Sequence, residues 1–372
     1  MKYRFTFIFS IFSILAGSAQ TFVNTSPENK KVVLEEFTGI HCGYCPAGHV
    51  IAQDISSSYP DDVVLVNIHV GGFAEPGNGE PDFRTNWGVQ IKNISGLTGY
   101  PSGQVNRQLF NSPVVHSTVG KPAMSRSHWE DASNIVLTEP SYVNVAAQSS
   151  INMNTRELTV NVEAFYTANG NGTNKLNVLL LQNNVEGPQS GGSNYNPSAI
   201  LANGNYNHQH MFRHSLTNYW GVTIPNNSAG SFFSDTYSYT IPADLNGVAY
   251  DLNNLEVVVF IAEQQYNVIS GNISSLSLLT DIAEDNNEAV SFYPNPAKLT
   301  STLEISLNQP SKVAYEIYNI IGKKVMNSAN QQYLPAGIQH LTINTAELVN
   351  GTYFLNYSIN NEIKTYKFIV SN

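Results

Sequence analysis

The chain has 372 residues, too many for one ordinary core, and a typical domain size of about 150 residues suggests two or three domains. Charged residues make up only 12% of it and the formal net charge is −10. This acidic balance, without a Lys/Arg cluster or a GxxxxGK[ST] run, argues against nucleic acid as a partner and against a nucleotide cofactor. Abundant Asn, Ser, Thr, Tyr and Gly are typical of secreted, β-rich proteins.

The N-terminus has the pattern of a signal peptide. Lys2 and Arg4 precede the apolar run Phe5 to Leu15, and small residues lead to a predicted cleavage after Ala19, so residues 1–19 are removed and the mature chain is extracytoplasmic. The run has about half of the roughly 20 residues needed to span a bilayer, and no later stretch qualifies as a transmembrane helix. The residue directly after the cleavage point is Gln20 and not a cysteine, which argues against a lipoprotein.

Cys42 and Cys45 are the two cysteines of the chain, separated by Gly43 and Tyr44. In an oxidising compartment such a pair favours a disulfide. In the loop-entropy model a four-residue ring stabilises the fold by roughly 2 kcal/mol, against about 4.7 kcal/mol for a hundred-residue loop. The pair is therefore a poor structural cross-link.

A β-prone run at 32–37 precedes the cysteines, and a helical stretch follows from about Pro46 to Ser57. Pro46 suits a first helical turn, which places Cys42 at the helix N-terminus. Free N–H groups and the helix dipole there lower the pKa of a thiol, so Cys42 is the predicted nucleophile and Cys45 the resolving cysteine.

A second buried strand at 63–69 and the segment 99–105, with Tyr100-Pro101, complete a pattern that resembles the thioredoxin superfamily. The resemblance implies an α/β thioredoxin-like domain over residues 28–137. It also implies that Glu36 is a buried acid that relays protons to the second cysteine, and that Pro101 is a cis-proline facing the disulfide. Tyr100, Pro101 and His41 are then the expected peptide-binding residues.

The sequence departs from thioredoxin itself beside the cysteines. It has His41 where thioredoxin has Trp, and Gly43-Tyr44 where thioredoxin has Gly-Pro, so neither the redox potential nor the direction of electron flow is inherited. A protonated His41 would stabilise the thiolate and make the site more oxidising.

The string from Glu35 to Pro46 also resembles a narrower group, the surface proteins related to a twenty-eight-kilodalton outer-membrane protein. This resemblance extends weakly to about residue 275 and implies a location and a fold, with no settled activity. Two other readings of the cysteines stay open: an inert surface disulfide, and a zinc site with His41 or His49, for which a second ligand pair is missing. His69, at a strand end, is expected to be structural.

Residues 138–280 are predicted to form an antiparallel β-sandwich. Predicted strands cover 142–145, 158–165, 176–181, 232–241 and 255–262, and the Gly/Ser/Asn-rich stretch 187–204 is expected to be a long exposed loop. His208, His210 and His214 lie in the segment of this region with the most closely spaced polar side chains that could meet a ligand. We expect them to be a packed or capping cluster and assign no metal ligand.

Acidic residues at 281–289 predict a linker, and a new module follows over 290–372. Its ordered motifs are Phe292-Tyr293-Pro294-Asn295-Pro296, strands around 312–318, Gly322, Leu334-Pro335-Ala336-Gly337, Gly351-Thr352-Tyr353-Phe354 and 367–370. They form a β-sandwich pattern that resembles the type A sorting domain of type IX secretion. The resemblance implies recognition by the secretion machinery at the outer membrane, then attachment to the cell surface or release.

Two functions fit the sequence. One is an extracellular thiol–disulfide oxidoreductase that uses Cys42, Cys45, Glu36 and Pro101 and needs no cofactor. The other is a non-enzymatic surface binding or adhesion protein with an inert disulfide, favoured by the large β-rich middle and by the lack of an encoded partner to restore the cysteines. Hydrolases have little support, since GxSxG and HExxH are absent.

Overall fold

The computed structural model describes residues 22–279, 290–307, 309–320, 322–327, 332–360 and 362–371. The predicted signal peptide and the predicted linker lie outside these residues. The chain divides into two compact units between residues 280 and 281. Within the described ranges, no helix combines the length and the apolar character that a membrane crossing requires.

The first stretch of the chain mixes short strands with helices. Its elements are β1 (Val32–Thr38), α1 (Cys45–Ser58), β2 (Val63–His69), α2 (Asn86–Ser95), β3 (Ser102–Val105), β4 (Met124–Ser125) and α3 (Trp129–Val136), with 3₁₀ turns at Gly72–Ala74 and Arg126–His128. All residues of β1 and β2 are buried. Their largely apolar sequences are typical of strands that are covered on both faces. They pair in parallel, whereas β3 runs antiparallel to β1.

The stretch that follows is almost entirely β-structure. It contains β5 (Val143–Asn152), β6 (Glu157–Tyr166), β7 (Asn174–Gln182), β8 (Val185–Gly187), a short α4 (Gly192–Tyr195), β9 (Tyr206–His208), β10 (Met211–Ser215), β11 (Val222–Thr223), β12 (Phe232–Thr240), β13 (Asp244–Leu245), β14 (Val248–Ala249), β15 (Leu255–Glu263), β16 (Tyr266–Ile273) and β17 (Ser275–Leu279), with 3₁₀ turns at Pro197–Ala199 and Leu252–Asn254. The five strands predicted here are confirmed as β5, β6, β7, β12 and β15.

One large sheet joins the two stretches. Its strand order is β16-β15-β7-β10-β2-β1-β3-β4, with β11 beside β7. β10 joins β2 where Met211 lies opposite Asn67, and the Asn67 N–H donates to the His210 carbonyl over 2.8 Å. Strands from before and after residue 137, the predicted end of the first domain, therefore belong to a single hydrogen-bonded sheet.

A second sheet, β12-β6-β5-β17, packs on one end of the large sheet. Alternation along β15 separates two cores: Val257 and Val259 face β5 and β6, whereas Val258 and Phe260 face β1 and β2. A third core lies between β1 and the helices α1 and α3, around Trp129. The helices thus cover one face of β1, and apolar side chains of β7, β10, β15 and β16 cover the other.

The second unit consists of strands alone. They are β18 (Val290–Tyr293), β19 (Thr300–Leu307), β20 (Ser311–Asn319), β21 (Lys324–Asn327), β22 (Gln332–Leu334), β23 (Gly337–Asn344), β24 (Gly351–Ile359) and β25 (Glu362–Val370). β18, β19 and β23 form one sheet, β20, β21, β22, β24 and β25 form the other, and both contribute to one apolar core. Both units are β-rich with several sheets, as the predicted β-sandwich architecture requires.

Candidate functional site

Two cysteines lie in the tight turn between β1 and α1. Cys42 and Cys45 form a disulfide, with their Cα atoms 5.4 Å apart. The Cys42 N–H donates to the Gly39 carbonyl over 2.9 Å, and the Cys45 N–H donates to the Cys42 carbonyl over 3.3 Å. The helix begins at Cys45 with Pro46 in its first turn, as the sequence predicted, so Cys42 lies just ahead of the helix N-terminus.

Glu36 lies beneath this helix. Its side chain is fully buried, and neither carboxyl oxygen has a hydrogen-bond partner. Burial raises the pKa of Glu36 well above its usual value, and the positive charge of Arg126 opposes the shift. A Cβ atom on Gly48, one helical turn after Cys45, would lie only 2.6 Å from Oε1 of Glu36, so the carboxyl group packs directly against the first turns of α1.

Glu35, the neighbouring residue, points to the opposite face of β1 and has a complete set of partners. Nε of Arg107 donates to Oε2 of Glu35 over 2.7 Å, and the Gln104 amide donates to the same oxygen over 2.6 Å. Both Glu35 and Arg107 are buried. The strand therefore holds one paired and one unpaired buried carboxyl group in consecutive positions.

His49 connects Glu36 to the rest of the molecule. Its Nε2 atom is 3.7 Å from Oε1 of Glu36 and 3.1 Å from the Thr38 hydroxyl, while its Nδ1 atom is 2.8 Å from the Tyr206 hydroxyl. Burial, together with the nearby His208, lowers the pKa of His49 to about 3. The imidazole is therefore neutral at physiological pH and both ring nitrogens have polar neighbours.

The Tyr100–Pro101 peptide bond is cis. Pro101 is buried against α1, since a Cβ atom on Gly48 would lie 3.1 Å from its Cβ. The Tyr100 hydroxyl donates to the Val70 carbonyl over 2.8 Å, and its ring packs edge-on against Phe73. The structure thus places Pro101 beside Glu36 and Gly48 and directs the polar end of Tyr100 to the loop after β2.

His41 lies on the other side of the turn. Its side chain is 41% exposed, and its Nε2 atom is 2.9 Å from a carboxyl oxygen of Glu80. The nearest carboxyl group to the His41 ring is therefore supplied by the loop after β2.

The segment 188–206 covers the turn, and we call it the cover segment. The Ser190 N–H donates to the Ile40 carbonyl over 2.8 Å. The side-chain amide of Gln189 donates to the carbonyls of Cys42 and Gly39 over 3.0 and 3.2 Å. The Gly39 and Cys42 carbonyls, which already accept N–H groups within the turn, thus each gain a second donor from the cover segment.

Gly191 and Tyr195 bring the cover segment into van der Waals contact with the turn. A Cβ atom on Gly191, whose φ is +73°, would lie only 1.9 Å from the Gly43 carbonyl oxygen. The Tyr195 ring packs on Tyr44 with centroids 5.2 Å apart. The predicted exposed loop over 187–204 is exposed at about half of its residues, while these contacts fold part of it against the turn, where Cys42 is 3% exposed.

The predicted histidine set does not meet at one point. His208 is buried between His69 and Phe83, with ring centroids 5.2 and 5.1 Å away. His210 has its Nδ1 atom 3.3 Å from Glu256, and His214 stacks on Tyr239 with centroids 3.9 Å apart. Among the described residues, no group of three or more His, Cys, Asp or Glu side chains is arranged to hold a metal ion.

A cavity of about 330 Å³ opens beside this cluster. Its walls include His49, His69, His208, Tyr206 and Asn196. His69 is 3% exposed, and neither of its ring nitrogens has a partner. Sequence reasoning assigned His49 only as a possible zinc ligand and did not single out Tyr206, since residues 157 positions apart leave no signal in a single sequence.

Two family profiles match the chain. One, described as outer membrane protein Omp28, matches residues 89–276, just over half of the chain. The other, described as a secretion system C-terminal sorting domain, matches residues 291–371. The first match begins after the cysteine turn. No curated protein matches the chain.

Solved structures show similar folds at low sequence identity. HBP35 of Porphyromonas gingivalis aligns at 19% identity with a TM-score of 0.51, over 92% of this chain and 99% of that chain. A protein of Agrobacterium tumefaciens aligns at 12% identity with a TM-score of 0.38, over 67% and 96% of the two chains. Dimeric latent PorU of Porphyromonas gingivalis aligns at 16% identity with a TM-score of 0.20, over 60% and 19%. The first alignment shows a shared fold alone, and the other two are too weak to support an argument.

The sorting-domain match means that the C-terminal unit interacts with the type IX secretion machinery. The protein is therefore secreted and lies outside the cell or at the outer-membrane surface. The chain belongs to the Omp28 outer membrane protein family.

Proposed function

We propose that this protein is an extracellular thiol–disulfide oxidoreductase whose first stretch, residues 28–137, is thioredoxin-like. The observation that carries the proposal is the unpartnered, fully buried carboxyl group of Glu36 beneath the helix that begins at Cys45. A buried group without a partner costs about 1–3 kcal/mol, and such a cost is typical of a functional site.

The order of elements supports the thioredoxin-like assignment. A buried strand leads to the cysteines and a helix, a parallel strand follows, and an antiparallel strand begins directly after Pro101. The division into a thioredoxin-like domain over 28–137 and a β-sandwich domain over 138–280 stays a prediction, and so does the sorting domain's start at residue 290.

In the proposed reaction a substrate thiolate attacks Sγ of Cys42 and the Cys42–Cys45 bond breaks. Cys45 leaves as a thiolate and takes the proton of the Glu36 carboxyl group, which gives a mixed disulfide at Cys42 and a neutral Cys45 thiol. In the reverse direction Glu36 takes that proton back, and the Cys45 thiolate attacks the mixed disulfide and releases the substrate. Pro101, Tyr100 and His41 are the proposed contacts of the substrate protein.

A second candidate is a surface binding protein in which the disulfide is inert. The burial of Cys42 favours this alternative, because a cysteine residue that is 3% exposed is not open to a protein substrate. The oxidoreductase therefore requires the part of the cover segment that contacts the turn, residues 189–195, to move away from it.

An equilibrium redox titration of the purified mature chain separates the two functions, with Cys42→Ser as the control. A defined potential above roughly −270 mV with fast exchange supports the oxidoreductase. A potential below about −300 mV with slow exchange marks a structural disulfide and leaves the binding protein as the better account.

A further inference from the structure

A continuous row of polar side chains leads from Glu36 to the cavity beside α1. We propose that His49 and Tyr206 carry protons between the cavity and Glu36, an inference that rests on the proposed oxidoreductase function. His49 and Tyr206 touch neither cysteine in this scheme, so they are positioning residues that act through Glu36.

The hydrogen bonds along the row have a consistent direction. The Asn196 amide donates to the Tyr206 hydroxyl oxygen over 2.8 Å. In the proposed resting state the Tyr206 hydroxyl donates to Nδ1 of His49, 2.8 Å away. The proton of the neutral imidazole is then on Nε2, next to the Thr38 hydroxyl and 3.7 Å from Glu36. Glu36 is the next polar group along the row, and delivery of the Nε2 proton requires the two groups to close the 3.7 Å separation to hydrogen-bond distance.

Glu36 needs such a path because its carboxyl group has no exposed surface. After Glu36 has given its proton to the Cys45 thiolate, it takes the Nε2 proton of His49. In the same step Nδ1 of His49 takes the hydroxyl proton of Tyr206, so the imidazole never carries a negative charge, and Tyr206 recovers a proton from water in the cavity. One proton is taken from solvent, and the imidazole ends in its other neutral tautomer; the opposite reaction reverses each transfer.

The cavity supplies the solvent end of the row. Asn196, Tyr206 and His49 all lie in its wall, and its volume of about 330 Å³ holds several water molecules. The charged and titratable groups around the row are Arg126, which acts on Glu36, His208, which acts on His49, and His69, on which His208, His49 and Arg213 act. His49, His69 and His208 are all neutral near pH 7, so the row moves a proton without holding a net charge.

The first test measures the row directly and does not depend on redox activity. The deuterium exchange rate of the Glu36 carboxyl group is followed by infrared spectroscopy in the oxidised mature chain, and Glu36→Gln identifies the band. We expect Tyr206→Phe to slow the exchange about tenfold or more, whereas Tyr195→Phe, a tyrosine of the same cover segment outside the row, leaves it unchanged. Wild-type exchange in Tyr206→Phe would overturn the proposal.

The second test asks whether the row limits thiol exchange. Reduction of the disulfide by dithiothreitol is followed against pH in the wild type, His49→Gln and His49→Ala. We expect both variants to be slowed about tenfold or more, with added imidazole restoring the rate of His49→Ala alone. Equal slowing at every pH without rescue would show a structural role and refute the relay. A wild-type protein that dithiothreitol reduces no faster than an unstructured peptide disulfide would instead refute the oxidoreductase, and the deuterium measurement would then decide on the relay alone.

Discussion

Oε1 of Glu36 and Nε2 of His49 lie 3.7 Å apart, yet burial keeps both groups neutral. A separation of 3.7 Å would suit an ion pair. Because burial raises the pKa of Glu36 and lowers the pKa of His49, both groups are uncharged instead of oppositely charged. The contact therefore adds little electrostatic stability. It makes folding stability depend on pH at both ends of the neutral range.

Replacing Glu36 with Gln removes the pH dependence at the alkaline end. Because the folded-state pKa of Glu36 is raised, its contribution is fully present below about pH 4.5 and is lost as the pH rises through the folded pKa. We expect the unfolding free energy of Glu36→Gln to fall less than that of the wild type between pH 4.5 and pH 9. Urea unfolding at several pH values measures this, and parallel curves for the two proteins would contradict it.

Acid destabilises the fold through buried histidines. Burial lowers the pKa of His49 to about 3 and that of His208 to about 4, and it lowers the pKa of His69 well below its usual value. Their stabilisation is present above about pH 6.5 and declines below it, by up to about 1.4 kcal/mol per pH unit for each histidine. At pH 5.5 the His69→Gln variant is expected to take up about one proton fewer than the wild type when it unfolds. An unchanged proton uptake would show that His69 is charged in the folded state.

Gly191→Ala is expected to displace the cover segment. Its Cβ would collide with the Gly43 carbonyl oxygen, and the positive φ adds strain. Gly204→Ala is the matched control, because Gly204 lies in the same segment with φ at +86° and has nothing within 4 Å of an added Cβ. We expect dithiothreitol to reduce the disulfide several-fold faster in Gly191→Ala only. Similar rates in both variants would mean that the cover segment does not limit access to Cys42.

Gly48→Ala should disturb the site from the helix side. Alanine favours a helix interior over glycine by up to about 1 kcal/mol, but its Cβ would press on Glu36, Pro101 and Trp129, and overpacking costs about 1–3 kcal/mol. A net loss of about 1–2 kcal/mol in chemical unfolding is therefore expected. Gly43→Ala, where an added Cβ meets nothing within 4 Å, is expected to have a much smaller effect. A stabilised Gly48→Ala protein would show that Glu36 is free to shift.

Removing one member of the buried pair of Glu35 and Arg107 should lower the free energy of unfolding strongly, whereas replacing both residues should lower it little. Arg107→Met leaves the buried Glu35 charge without its main partner and is expected to cost about 3–5 kcal/mol. The double variant Glu35→Met, Arg107→Met removes both charges and is expected to recover most of that loss. Thermal and urea unfolding of the single and double variants test this coupling. A double variant as unstable as the single one would assign the loss to the contact of the Arg107 guanidinium group with the Phe260 ring.

Local sequence signals were enough to place the cysteine turn. Pro46 fixed the first turn of α1, and the apolar runs of β1 and β2 identified strands buried on both faces. Alternation in β6 likewise marked a strand with one buried face. These elements follow from neighbouring residues, so a single sequence contains the information.

The cover segment and the His49–Tyr206 contact follow from no such local signal. Residues 187–204 are rich in Gly, Ser and Asn, a composition that fits an exposed loop equally well. What holds this segment in place is the hydrogen bonding of Gln189 and Ser190 to carbonyls about 150 positions earlier in the chain. Contacts of this kind depend on how β10 joins β2, which hydrophobic periodicity does not encode.

The shared sheet also limits where the chain can be truncated without exposing its core. A polypeptide that ends at residue 137 would leave the β2 edge without β10 and would expose the face of Val64, Val66 and Ile68 that packs on Phe212 and Phe260. An open parallel strand edge beside a bare apolar face is a template for aggregation. The smallest fragment that keeps the cysteine turn soluble and covered should therefore extend through β17.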